Sequence, residues 1–153
     1  DIGISIKNEL NELFKDFDLS SIDQIILENQ ISPLANRMKT IQGMISQYFI
    51  DCNNYNIKFI SATNKLKPFT SKESKYVTDY KDYNDVNDLK DIKEKKLSYN
   101  ERKKLSIYYT KQLLEHKNMS SEVAFFIKHS KKDDLADCFL QGIYYLENFN
   151  VIK

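Results

Sequence analysis

At 153 residues the chain suits one domain and is too short for two. Hydrophobic residues at 41% and charged residues at 29% exclude wholesale disorder, and 23 Lys+Arg against 22 Asp+Glu leave no net charge that would mark an acidic or basic partner. Two cysteines are too few for a disulfide framework and suit a reducing, intracellular compartment, and no apolar run approaches the ~20 residues of a membrane span.

In chain order, Asp1-Ile2-Gly3-Ile4 reads as a strand whose glycine permits close approach of another backbone or a ligand. An amphipathic helix is predicted over residues 6–17, where Ile6, Leu10, Leu13, Phe14 and Phe17 recur at helical spacing. After a turn, Gln24-Ile25-Ile26-Leu27-Glu28-Asn29 reads as a short buried strand with an acid at its C-terminal end. Ser32-Pro33 supplies a cap and the residue suited to the first helical position. The helix it opens carries a stripe of Leu34, Met38, Ile41, Met44, Ile45, Tyr48 and Phe49 and ends near Asp51 or Cys52. Residues 57–61 form a second strand, so strand, helix and strand predict a βαβ unit with parallel strands.

Residues 68–98 are rich in Lys, Asp, Asn and Tyr without a clear period, and read as a charged insertion, mobile or weakly helical. A helix over 100–116 is expected to turn Leu105, Tyr108, Tyr109, Gln112 and Leu113 inward. Another starts at Met119-Ser120-Ser121-Glu122 with Ser as cap, and a last one spans 133–148 with Leu135, Ala136, Cys138, Phe139, Leu140, Ile143, Tyr144 and Leu146 inward.

Four acids stand out by position. Asp1 lies on the first predicted strand and Glu28 ends an apolar one, where an acid is costly unless paired or functional. Asp134 and Asp137 are three apart at the start of the last helix and share a face. The helix dipole accounts for Asp133 and Asp134 but less well for Asp137, one turn in beside Leu135, Ala136 and Cys138. Carboxylates converging from strand ends and a helix face suit hard cations such as Mg²⁺, and a pair of such ions can hydrolyse a phosphodiester.

Several blocks occur together in order: Asp1-Ile2-Gly3; Ile25-Ile26-Leu27-Glu28-Asn29-Gln30 with Pro33 and Met38-Lys39; Tyr99-Asn100-Glu101-Arg102-Lys103-Lys104; and Lys132-Asp133-Asp134-Leu135-Ala136-Asp137. In this the chain resembles the RuvC-type Holliday junction resolvases, most closely their poxvirus-like viral branch. The resemblance implies a single α/β domain over residues 1–153, with an RNase H-like mixed sheet flanked by helices, and a homodimeric endonuclease that cuts four-way or branched DNA. It implies two Mg²⁺ ions, with Mn²⁺ as a possible substitute, held by Asp1, Glu28, Asp134 and Asp137, with Asp133 as a non-ligand neighbour. It places a basic residue beside the scissile phosphate in the segment Arg102-Lys103-Lys104, Lys104 being favoured and Lys103 close behind because helix register decides between them. It also implies an infected cell, at the site of viral DNA replication or in the virion. In that family two antiparallel strands follow the first, whereas here Ser5 runs straight into the predicted helix at Ile6. An excised segment is the expected cause, and because the chain starts at Asp1 rather than Met, its native N-terminus is expected upstream.

Basic residues Arg37, Lys39, Lys65, Lys67, Arg102, Lys128, Lys131 and Lys132 lie near these elements and together suit a phosphate-neutralising rim, although each alone reads as a solvated charge. His116 and His129 are isolated, no His/Cys set has zinc spacing, and no Gly-rich phosphate loop is present. Two rival readings stand beside the resolvase: a nuclease of the same fold acting on flaps or RNA–DNA hybrids, and a non-catalytic DNA-binding module. The wide stripe on the helix after Pro33 is the expected face of a two-fold dimer, unless neighbouring helices of the same chain cover it.

Overall fold

The computed structural model describes residues 1–30, 36–70 and 98–149. They fall into two compact units, Asp1–Ala62 and Thr63–Lys153.

The first unit opens with helix α1, Ile2–Leu13, where a strand was expected. The Asp1 carboxylate accepts the Gly3 N–H at 2.9 Å, so this acid is an N-cap. The half-buried side chains Ile6, Leu10 and Phe14 then fall four apart along one face, while Leu13 and Phe17, expected inside, are 65% and 64% exposed. A Cβ on Gly3 would meet its nearest neighbours at ordinary contact distance, so the glycine is not there for close approach.

Strand β1, Ile25–Glu28, and strand β2, Ile57–Ile60, pair in parallel with Ile25 opposite Ile57 and Glu28 opposite Ile60. Helix α2, Asn36–Asp51, lies between them in sequence, which is the expected βαβ order. The expected cap at Ser32-Pro33 lies outside the described residues.

The small core joins Leu19, Ile25 and Phe49, with Phe14, Ile45, Tyr48 and Ile57 packed against it. Phe14 meets Phe49 edge-on at 5.7 Å, and Met44 of α2 lies 3.9 Å from the Cβ position of Gly3. The α2 stripe is thus partly covered by α1 of the same chain, and the case for a dimer seam there loses that part of its basis. Met38 at 47% and Ile50 at 38% exposure remain outside this packing.

The last turn of α2 closes without glycine. Asn53 adopts a left-handed φ of 62°, its N–H reaches the Ile50 carbonyl, and the Asn54 N–H reaches that of Phe49, which is the Schellman arrangement. The Asn54 side chain is then buried and bonds three separate backbone groups. Its Nδ2 donates to the carbonyls of Leu19 (2.9 Å) and Ile22 (2.7 Å), and its Oδ1 accepts the Asn56 N–H (3.0 Å).

The second unit contains helices α3, Lys67–Thr70; α4, Tyr99–His116; α5, Ser120–Lys128; and α6, Lys132–Asn148. Ser98 and Glu101 form a reciprocal capping box at the start of α4. Its far end repeats the Schellman closure through Asn118 at φ 56°. One core joins Leu66, Phe69, Tyr109, Leu113 and Leu140, and another joins Leu114, Phe126 and Ala136. Ala136 and Leu140 are fully buried and fix the phase of α6. Cys138 lies two residues from Ala136, about 200° round the helix, and is exposed rather than inward as expected. Met119 rather than a serine occupies the α5 cap position and makes no side-chain bond. Apart from residues 68–70 and Ser98, the expected insertion lies outside the described residues.

Among the described residues the expected RNase H-like mixed sheet is not present. The described residues are mainly helical, and their strands number two, of four residues each. The acid expected on a first strand caps a helix instead, which removes that strand from the sheet.

Replacing Asn54 with Ala strips partners from two carbonyls and one N–H around a buried position. The expected loss is about 2–3 kcal/mol of stability, measured by urea unfolding. A loss within a few tenths would show that water replaces the amide without penalty.

Candidate functional site

Each unit carries its own share of the candidate residues. In the first, β1 places half-buried Glu28 at the C-terminal end of the strand, where Gln30 Nε2 lies 3.2 Å from its carboxylate. The ladder continues one residue further, the Asn29 N–H bonding the Ile60 carbonyl at 2.8 Å. The Gln30 N–H is held by the Oε1 of buried Gln42 on α2 at 2.9 Å, so the segment after the strand is anchored on both sides. Lys39 of α2 reaches Asn29 Oδ1 at 3.3 Å and lies 5.9 Å from the centre of the Phe59 ring. Arg37 is exposed. Asp1 is engaged through one oxygen as the cap of α1, on a helix and not on the expected strand.

The second unit holds a denser arrangement. The buried centre of α6 at Ala136 and Leu140 turns Asp133 and Asp137, four residues apart, toward neighbouring elements. Each meets a lysine. Lys103 of α4 bonds Asp133 at 2.5 Å, and Lys65, from the turn after β2, pairs with Asp137 Oδ2. Lys103 also lies over the Tyr99 ring at 4.9 Å.

The register of α4 is therefore the reverse of the favoured one, with Lys103 turned toward α6 and Lys104 exposed. Asp134 is exposed, and the inward partner of Asp137 is Asp133. Asp137 Oδ1 is buried and has no hydrogen-bond partner among the described residues.

The other basic residues divide by role. Lys132 Nζ donates to the carbonyls of Ile127 (2.9 Å) and His129 (3.1 Å), capping the end of α5 rather than facing solvent as a phosphate contact. His129 Nδ1 accepts the Lys131 N–H at 3.1 Å and shapes the same turn. Lys67, Arg102, Lys128 and Lys131 are exposed.

The hydrogen bond from Lys103 holds the Asp133 carboxyl below the usual carboxylate range. The bonds to Asp133 and then to Tyr99 hold the Lys103 ammonium above the usual lysine value.

Carboxylate oxygens suit a hard cation, and one buried Asp137 oxygen has no hydrogen-bond partner among the described residues. Among the described residues no group of three or more His, Cys, Asp or Glu gathers closely enough to hold a metal ion. Two partners escaped the sequence reading. Asp133 was set aside as a neighbour, and Lys65 was read as a surface cation although it is only 12% exposed. The Ser98-Glu101 capping box marks where α4 begins but does not decide which of its faces meets α6.

A helical unit with two lysine-bound carboxylates on one helix defines a polar, charge-paired site. Against known proteins, the chain is 34% identical over 162 residues to "Uncharacterized protein L451" of Acanthamoeba polyphaga mimivirus, a match covering 95% of this chain. The chain spans only 36% of that relative's length. No protein-family model and no solved structure matches it. Among the described residues no helix is long and apolar enough to cross a membrane.

The lowered Asp133 contributes stability that is present above its unfolded value and is lost as pH falls through the folded value. The raised Lys103 contributes below its unfolded value and fails only as pH rises through the folded one. The difference in melting temperature between wild type and Asp133→Asn is therefore expected to hold between about pH 5 and 9 and to be lost in acid, as pH falls through the lowered folded value. A difference that persists there would mean Asp133 acts through shape and not charge.

Proposed function

We propose that this chain is part of a divalent-metal-dependent endonuclease acting on four-way or branched DNA, a resolvase working on viral replication intermediates inside an infected cell. One observation carries the reading. Asp133 and Asp137, on the inward face of α6, are each bound by a lysine from a different element, and one Asp137 oxygen has no hydrogen-bond partner among the described residues. Acids for a cation and lysines for phosphate charge, held on rigid elements in one unit, are what phosphodiester hydrolysis needs. The ordered blocks ending in Lys132-Asp133-Asp134-Leu135-Ala136-Asp137 support the same reading, as does the viral source of the similar protein. The reading rests on side chains and not on the fold, since the described sheet has two strands.

Asp134 and Asp137 are the proposed ligands in the second unit, and Glu28 the proposed ligand in the first. When bound, Mg²⁺ activates a water and neutralises charge on the phosphate. Lys103 holds its ammonium beside the acids and is the proposed cation for developing phosphate charge. Exposed Arg102, Lys104 and Lys131 are the proposed backbone contacts, with Lys39 and Arg37 in the first unit. Cutting two opposed strands of a junction requires two such sites, hence a homodimer.

A second reading has an observation of its own. Both inward acids already have lysine partners, as in a purely structural site, and this favours a non-catalytic DNA-binding module.

Nicking of a synthetic four-way junction, a flap and an RNA–DNA hybrid, with Mg²⁺ or EDTA, separates the two. The nuclease reading expects Mg²⁺-dependent cutting of the junction that Asp137→Asn reduces to background while junction binding is retained. Arg102→Ala is expected to weaken binding and lower the salt slope by about one. Binding without cutting under every condition would leave the non-catalytic module.

A further inference from the structure

The two positions of α4 most completely shut off from solvent are not apolar. Ser106 is 0% exposed and Thr110 1%, and they lie one turn apart on the same face. Tyr109 and Leu113 on one side of them belong to one core of the unit, and Leu114 on the other side belongs to the second. About one turn before Ser106, Lys103 meets Asp133 of α6, and beyond Thr110, Leu113 shares a cluster with Leu140. Ser106 and Thr110 fall between these contacts, facing the stretch of α6 that holds fully buried Ala136, whose single methyl leaves room across the seam.

Neither hydroxyl has a hydrogen-bond partner among the described residues, and nor has the buried Asp137 Oδ1. The usual outlet for a hydroxyl inside a helix is the carbonyl four residues back. Thr40 and Ser46 of α2 take it, bonding the carbonyls of Asn36 at 3.1 Å and Gln42 at 2.8 Å. Ser106 and Thr110 do not, which leaves their oxygens to the seam between α4 and α6. An unsatisfied buried hydroxyl is costly, and native interiors rarely keep two side by side.

We propose that Ser106 and Thr110 hold one internal water between α4 and α6, with Asp137 Oδ1 as its third partner. Side chains one turn apart have Cβ atoms about 5–6 Å apart, a gap that one water spans with two hydrogen bonds of about 2.8 Å. A buried water makes about three hydrogen bonds, matching the three oxygens that face no other group. The water donates to the carboxylate and to one hydroxyl, and accepts from the other. Asp137 keeps Lys65 on its second oxygen. The rotation of α4 that carries Lys103 to Asp133 is then also the one that satisfies both hydroxyls. The inference needs neither metal nor DNA and stands apart from the nuclease reading.

Water ¹⁷O relaxation dispersion counts long-lived internal waters and does not respond to hydroxyl proton exchange. Ser106→Ala/Thr110→Val is expected to carry one such water fewer than wild type. In urea unfolding, each single variant is expected to raise the unfolding equilibrium constant about fivefold, as for one lost hydrogen bond. The double variant is expected to fall short of the product of the two, because both bonds are made to one water. Equal water counts overturn the proposal, as does a Thr110→Val protein more stable than wild type, the result of replacing an unpaired hydroxyl by a methyl in a dry seam. If the double variant fails to fold, a crystal structure of the unaltered protein decides. A solvent oxygen within about 3.2 Å of both hydroxyls is expected. Hydroxyls turned onto the Arg102 and Ser106 carbonyls, with no such oxygen between the helices, overturn it.

Discussion

A carboxylate on the inward face of a helix, beside side chains that water never reaches, must be given a positive partner. Asp137 is in that position. Ala136 before it and Leu140 after it are fully buried, so the helix cannot rotate to release the acid without breaking its core. Lys65 meets the demand because Leu66 and Phe69 pin the chain beside α6. The same constraint acts one turn earlier, where Asp133 takes Lys103 from α4. The core sets which faces of α4 and α6 meet, and these pairs set where charge gathers in the second unit.

The first unit solves a different problem. With three glycines in 153 residues, the chain has few positions free of steric cost in left-handed backbone. Asn53 and Asn118 take that conformation at the ends of α2 and α4, where asparagine is the best tolerated of the other residues. At the first of these ends the neighbouring Asn54 is drawn inside, and its amide ties the turn around Leu19 to the lead-in of β2. A two-stranded sheet has little hydrogen-bonding cooperativity of its own. Side-chain amides at Asn54 and Gln42 supply fixed points that further strands would otherwise provide.

Local pattern made the βαβ order legible, because β-branched Ile25-Ile26 and the stripe of α2 have different periods and each period is a property of a short stretch. It also made α4 and α6 of the second unit legible, with boundaries a residue or so from those observed, but not the short α3. It failed at Asp1-Ile2-Gly3-Ile4. Four residues cannot distinguish a strand from the first turn of a helix, and the acid there is as good a helix cap as a ligand. The wider sheet was inferred from family likeness, and family likeness does not supply hydrogen-bonding neighbours to a strand.

By itself the sequence determined the βαβ order, the longer helices and the set of acids and lysines from which any site must be built. Tertiary structure alone decided which of them meet. The face of α6 that turns inward is set by the volumes at Ala136 and Leu140, and only that phase selects Asp133 and Asp137 while leaving Asp134 and Cys138 outside. The pairing of Lys65 with Asp137 joins residues far apart in the chain, and Lys103 rather than Lys104 reaches Asp133 because packing fixes the rotation of α4. Such choices depend on what lies across the interface, and a short window of sequence contains only one side of it.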